Sequence, residues 1–141
     1  MKIYVASSWR NAQQEHIVKA LRIIEKHLVY DFKHPTNGPF QWSDIDPNWQ
    51  EWTPEQFKEK LNHPIADMGF HQDFKALKEC DACVLVMPCG RSAHLELGYA
   101  IGMGKRTAIL LSDGEPELMY RMVDLVTNDY EDLTKFLSES Y

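Results

Sequence analysis

The sequence predicts an α/β domain: a five-stranded parallel sheet with helices on both faces. Three observations carry that reading. Short apolar runs alternate with segments of helical periodicity along most of the chain. The central runs, Cys83 to Pro88 (C-V-L-V-M-P) and Arg106 to Leu111 (R-T-A-I-L-L), are almost continuously apolar, as strands buried on both faces are. And 141 residues with 44 % apolar content are enough for one filled core in a single domain spanning residues 1–141.

The elements follow in order. Lys2 to Ala6 (K-I-Y-V-A) reads as a buried strand, followed by a polar turn, Ser7-Ser8-Trp9-Arg10. From Asn11 to His27 the apolar residues Ile17, Val18, Leu21, Ile24 and Leu28 recur at helical spacing. Leu28 to Phe32 is a second short strand. Residues 33–63 break the rhythm: four prolines, one glycine and three of the four tryptophans (Trp42, Trp49, Trp52) lie there. Thr53-Pro54-Glu55-Gln56 marks a helix start, with Thr53 as N-cap and Pro54 in the first turn. A connection of this length is usually functional, so it reads as a lid-like insertion or an aromatic wall, with a surface excursion packed on its own tryptophans as the alternative. Ile65 to Cys80 returns to helical periodicity and runs into the strand starting at Cys83. Ser92 to Met103 is a helix rich in small residues, whose Gly98 and Gly102 suggest close packing against the sheet. Arg106 to Leu111 is a strand, Glu117 to Val123 a short helix, Leu125 to Thr127 a weak last strand and Asp129 to Ser138 a closing helix.

Right-handed crossovers between such strands give a three-layer sandwich, and five strands suggest the flavodoxin-like order 2-1-3-4-5. Ligands then bind outside the carboxyl ends of strands 1 and 3, where the order reverses. Those ends are Ser7 to Arg10 and Pro88 to Ser92.

Charge narrows the function. Fifteen basic and 21 acidic side chains give a net charge of −6, no footprint for duplex nucleic acid and a mild argument against an anionic membrane surface. No apolar run approaches bilayer length, and no signal peptide is evident. Three cysteines in a chain without an export signal read as reduced thiols of a cytoplasmic protein. Cys80 and Cys83 form a C-x-x-C, but at a helix end entering a strand, where the pKa-lowering helix N-terminus of redox motifs is missing. No second pair completes a zinc site, and neither a metal nor a cofactor is expected.

The chemistry concentrates in Gly90-Arg91-Ser92-Ala93-His94-Leu95-Glu96-Leu97-Gly98-Tyr99-Ala100. Ser92 is placed to cap the helix, whose first N–H groups attract an anion or an electron-rich oxygen. Glu96 is the one charged side chain between Leu95 and Met103. A carboxylate in so apolar a helix is either paired (Arg91 and Lys105 are the candidates), solvated, or used. Asp73, in F-H-Q-D-F-K-A-L, faces the same end of the sheet if it lies in the N-terminal half of its helix. Otherwise it is a solvated helix residue. Two carboxylates at one crevice supply a nucleophile and a proton donor for glycosidic chemistry. His94, at the mouth of the helix, reads as structural or orienting and is counted with Gly90 and Ser92 among the candidate substrate contacts.

These segments together resemble the nucleoside 2-deoxyribosyltransferase-like superfamily, which includes the 2′-deoxynucleoside 5′-monophosphate N-hydrolases. The resemblance rests on I-Y-V-A-S-S-W-R, D-F-K-A-L-K-E-C-D-A-C-V-L-V and G-R-S-A-H-L-E-L-G-Y-A-I-G-M-G-K, and covers most of the chain outside 33–63. It implies a flavodoxin-like fold and a substrate that is a small nucleoside or nucleotide. Glu96 matches the nucleophile that attacks C1′, and Asp73 the aspartate that helps protonate the departing base. Ser7, Ser8 and Trp9 match the loop lining sugar and base, and Arg10 a phosphate-binding arginine of the monophosphate hydrolases. It also implies a homodimer or larger homo-oligomer in which a neighbouring subunit completes the site; the matching stretch is Glu117-Leu118-Met119-Tyr120, with Met119 and Tyr120 as substrate contacts. Gly90 stands where the transferases carry aspartate and the hydrolases serine, and His94 replaces a glycine. Ser92 offers a hydroxyl from a shifted place. P-C-G-R-S-A-H-L-E is also similar to the P-G-G-x-G-T-x-x-E motif of phosphoribohydrolases. Transfer, hydrolysis of a nucleotide, cleavage of NAD or a related dinucleotide, and a non-catalytic nucleotide-sensing module all stay open at this point.

Overall fold

The structure is a computed structural model, and it describes residues 1–24 and 26–139. Five strands, β1 (Lys2–Ala6), β2 (Leu28–Asp31), β3 (Ala82–Val86), β4 (Arg106–Leu110) and β5 (Leu125–Thr127), form one sheet in the order β2-β1-β3-β4-β5. Every pairing is parallel. This is the expected flavodoxin-like arrangement, with the order reversing between β1 and β3.

Helices α1 (Gln13–Ile23), α2 (Pro54–Lys60), α3 (Pro64–Glu79), α4 (Arg91–Gly102) and α5 (Tyr130–Ser138) complete the chain, with 3₁₀ turns at Trp42–Asp44, Trp49–Glu51 and Leu118–Met122. Side chains alternate across each strand, so the sheet separates two cores. Ile3, Val5, Val84 and Ala108 pack with Ile17, Val18 and Leu21 of α1 and Leu133 and Leu137 of α5. Tyr4, Ala6, Cys83, Leu85 and Ile109 pack with Leu77 of α3 and Ala93, Leu97 and Ala100 of α4.

Several boundaries differ from expectation. The first helix ends at Ile23, because Ile24 turns extended and the chain must reach the Leu28–Lys2 pairing within a few residues; its expected continuation to His27 includes residue 25, outside the described residues. β3 stops at Val86, before a cis Met87–Pro88 bond. The expected helix at Glu117 to Val123 is a single 3₁₀ segment. Gly90, not Ser92, is the N-cap of α4: Gly90 is already extended, the helix starts one residue earlier, and no side chain caps it. Gly98 and Gly102 do not pack on the sheet. They are exposed, a Cβ on either would meet nothing within 4 Å, and helical periodicity gives the sheet-facing positions to Ala93, Leu97 and Ala100.

Residues 33–63 start from a polar anchor. Buried Asp31 accepts from Gln14 Nε2 (2.8 Å) and from the Lys33 N–H (2.9 Å), and its Oδ2 lies 3.0 Å from His34 Nδ1. Burial opposes the Asp31 charge, but these bonds hold its pKa below the ordinary value. Further along, Thr53 and Gln56 form the reciprocal capping box at the start of α2. Trp42 packs against Phe40, Trp52 and Phe57 at ring distances of 4.8 to 5.7 Å. Trp52 also donates to Asp46. No helix among the described residues is long and apolar enough to cross a membrane.

Candidate active site

A cavity of about 670 Å³ opens at the carboxyl ends of β1 and β3. One side is the loop after β1, Ser7, Ser8, Trp9 and Arg10. The opposite side is the start of α4, Gly90, Arg91, Ser92 and Ala93, with Glu96 one turn further on. Tyr4 and Asp73 lie within, and Phe32, Phe40, Gln41, Trp42, Ser43 and Trp49 form a third wall. The volume is in the usual range for small-molecule sites.

One side chain anchors the two loops to each other. Asn11 is 4 % exposed, and its Nδ2 lies within 3.1–3.2 Å of Ser7 Oγ, Val86 O and Pro88 O. Its Oδ1 accepts the Gln13 N–H, and Ser7 Oγ donates to Val86 O. The exits of β1 and β3 are thus fastened together at the point where the strand order reverses. Lys33 braces the loop from behind: its ammonium donates to Asn11 O (3.2 Å) and lies 5.9 Å from the Trp9 ring centre.

The two carboxylates meet in this cavity. Asp73 is the tenth residue of the 16-residue α3, past the midpoint rather than in the N-terminal half. It still lines the cavity, because the cavity extends down to Tyr4, the middle residue of β1. Each acid accepts a bond from a tyrosine. Tyr30 Oη donates to Asp73 Oδ1 at 2.6 Å, and Tyr4 Oη donates to Glu96 Oε2. Tyr4 and Tyr30 are directly paired across β1 and β2, and their rings stack at 5.3 Å and 18°. Burial raises the Glu96 carboxyl from 4.5 to about 7; the Tyr4 hydroxyl opposes the rise and the Asp73 charge adds to it. Burial also raises Asp73, against the Tyr30 bond. Both tyrosines are pushed up, by burial first and then by the carboxylates they face. They are therefore donors throughout the physiological range.

Neither Arg91 nor Lys105 pairs with Glu96. Lys105 is spent on the carbonyls of Lys78 and Cys80. Arg10 and Arg91 are exposed at the cavity and, among the described residues, their guanidinium groups have no ion-pair or hydrogen-bond partner.

Three expected contacts lie off this cavity. His94 turns away from it: Nδ1 is 2.8 Å from Gly90 O, Nε2 is 2.8 Å from Tyr120 Oη, and the two rings stack at 5.7 Å. Tyr120 is thereby tied to α4, and Met119 stands 61 % exposed beside it. The thiols of Cys80 and Cys83 are buried and free, and burial raises their pKa, the reverse of a reactive pair. Tyr4, Tyr30, Asn11 and Arg91 are site residues that sequence reasoning does not pick out. Tyr4 is the middle residue of β1 and Tyr30 its paired neighbour on β2.

Fold and cavity together define a class: a flavodoxin-like α/β protein with two hydrogen-bonded carboxylates at its switch point. No family model and no curated protein matches the sequence. Among solved structures, the chain is similar to a 2-deoxyribosyltransferase from the psychrotolerant bacterium Bacillus psychrosaccharolyticus, with a TM-score of 0.64 and 17 % identity over 100 % of this chain and 93 % of that one. It is also similar to a CMP N-glycosidase from Clostridium botulinum, with a TM-score of 0.52 and 17 % identity over 99 % of this chain and 100 % of the other. At this identity the likeness establishes the shared fold.

Proposed function

We propose that the protein cleaves the N-glycosidic bond of a (deoxy)nucleoside or nucleotide through a glycosyl-enzyme on Glu96. The observation that carries this reading is the convergence of Glu96 and Asp73, from separate helices, in one cavity walled by aromatic rings. That both similar structures are enzymes of nucleoside or nucleotide glycosidic bonds supports it.

The chemistry is a double displacement. A Glu96 oxygen bonds to C1′ as the bond from C1′ to the base nitrogen breaks, and Asp73 gives its proton to the departing base. Water or a second base then attacks C1′, Glu96 leaves as carboxylate, and Asp73 takes back a proton. Two acids this close in a desolvated site titrate as a pair, and the working form carries one proton between them. Tyr4 orients Glu96 and stabilises its charge. Trp9, Trp42 and Trp49 stack on the base and exclude water, which makes residues 33–63 the wall or lid of the base pocket. Ser7, Ser8, Gly90 and Ser92 border the sugar.

Transfer between nucleosides is the first form of this reading. Hydrolysis of a 5′-monophosphate is the second, and the two unpaired guanidinium groups of Arg10 and Arg91 favour it. The exposed Leu118, Met119 and Met122 on one 3₁₀ turn suit a homo-oligomer contact. Purified protein incubated with deoxynucleosides and deoxynucleoside monophosphates, with and without an acceptor base, separates the forms. Base release from the monophosphate that Arg10→Ala abolishes identifies the hydrolase, and base exchange insensitive to Arg10→Ala identifies the transferase. Full turnover by Glu96→Ala overturns the proposal, and tight nucleotide binding without base release leaves a sensing module.

A further inference from the structure

Asp73 has two carboxyl oxygens, and proton delivery requires one of them to be singled out and the carboxyl plane to be held still. Tyr30 does both. Its hydroxyl carries a donatable proton and sits 2.6 Å from Oδ1. A carboxyl whose Oδ1 accepts this bond carries its own proton on Oδ2. Tyr30 is half-buried on β2, outside the residues that line the cavity, so it reaches substrate only through Asp73.

The tyrosine is itself located by the sheet. Tyr30 is the parallel partner of Tyr4, the two rings are nearly parallel at 5.3 Å, and Tyr4 holds Glu96. Neighbouring strands stand about 4.8 Å apart. Each carboxylate is therefore held by one of two stacked rings on adjacent strands, while Phe74, beside Asp73, packs α3 on Tyr99 of α4.

We propose that Tyr30 is a positioning residue for Asp73, fixing Oδ2 as the oxygen that exchanges a proton with the substrate. This rests on the glycosidic reading of the site. The titratable groups that feel Asp73 are Tyr30 from β2, Tyr4 from β1 and Glu96 from α4, with Arg10 and Arg91 at the rim.

The test is Tyr30→Phe, which keeps the ring and its stack and removes the hydroxyl. Base release under single-turnover conditions is expected to fall about tenfold, the worth of one hydrogen bond to a charged group, with KM changed less than about threefold. In an Asp73→Asn background the same substitution is expected to cause no further loss. A Tyr30→Phe enzyme with undiminished rate, with the loss confined to KM, or with the same loss in the Asp73→Asn background overturns the proposal. A second measurement needs no turnover. Carboxyl NMR titration of protein labelled with ¹³C at aspartate and glutamate is expected to show Asp73 moving to higher pKa in Tyr30→Phe, and Glu96 in Tyr4→Phe. If Asp73 titrates identically with and without the Tyr30 hydroxyl, the pairing is refuted. A wild-type enzyme that releases no base sinks the glycosidic reading alone, because the titration still decides the role of Tyr30.

Discussion

Glu96→Gln should make the protein more stable, and only above a definable pH. In the folded chain Glu96 is nearly enclosed and its carboxyl is raised from 4.5 to about 7. Between those pH values the folded state still holds a proton that the unfolded chain has released, so stability falls as pH rises through this window. Below 4.5 both states are protonated and the effect is absent. Above about 7 it is complete. At about 1.4 kcal/mol for every pH unit that the window spans, the ionised Glu96 costs about 3 kcal/mol of folding free energy. Glutamine has no charge to desolvate, and its amide oxygen still accepts from the Tyr4 hydroxyl. Urea unfolding of both proteins from about pH 4.5 to about pH 8 should give curves that coincide at the acid end and separate by about 3 kcal/mol at the alkaline end, with Glu96→Gln the more stable and about 6–12 °C higher in Tm. A separation that does not change with pH, or a variant that is the less stable at the alkaline end, would refute the claim that burial of a charge at this position opposes folding.

Two further outcomes follow from the site's scaffolding. Asn11→Ala removes both amide donors, takes from Pro88 O its side-chain partner and leaves Val86 O only the Ser7 hydroxyl, so it should destabilise the protein by about 1–3 kcal/mol in denaturant unfolding; a loss below about 0.5 kcal/mol would mean that the loops are held by other contacts. Gly69→Ala places a Cβ 2.7 Å from Phe40 Cβ, so Phe40 and the aromatic wall must shift. KM should rise severalfold with kcat largely kept, and an unchanged KM would mean that this wall does not touch substrate.

Much of this architecture is legible in the residues. The strand order follows from unbroken apolar runs such as C-V-L-V and from helix-period segments between them, both consequences of burial on two faces. Glu96 stands out as a lone acid in an apolar helix, whereas Asp73 reaches the cavity from past the midpoint of α3 and not from the N-terminal half on which its expectation rested. The tyrosines are not visible as hydrogen-bond donors, since a tyrosine in a strand reads as core filling and its hydroxyl declares its partner only when the neighbouring helix is in place. Asn11 is hidden for a related reason: its amide donates to Val86 and Pro88, 75 and 77 positions away and beyond any local pattern. Residues 33–63 give up only their Thr53 cap, because an aperiodic segment carries no record of which face is inward. Ser92 is misplaced because the helix starts a residue earlier, and the two glycines of α4 because the sheet-facing stripe is Ala93, Leu97 and Ala100.

Because the sheet is one backbone layer thick with side chains on both faces, it partitions the molecule. Tyr4 contributes to the chamber with the acids, while Ile3 and Val5, its immediate neighbours, belong to the opposite compartment with α1 and α5. The core and the lining of the candidate site are thus encoded at alternating letters of the same short words. A redesign that rewrites only the odd-numbered letters of β1 and the inward stripe of α5 can harden the protein without reaching its chemistry. One that slides β1 by a single residue exchanges the two duties at once.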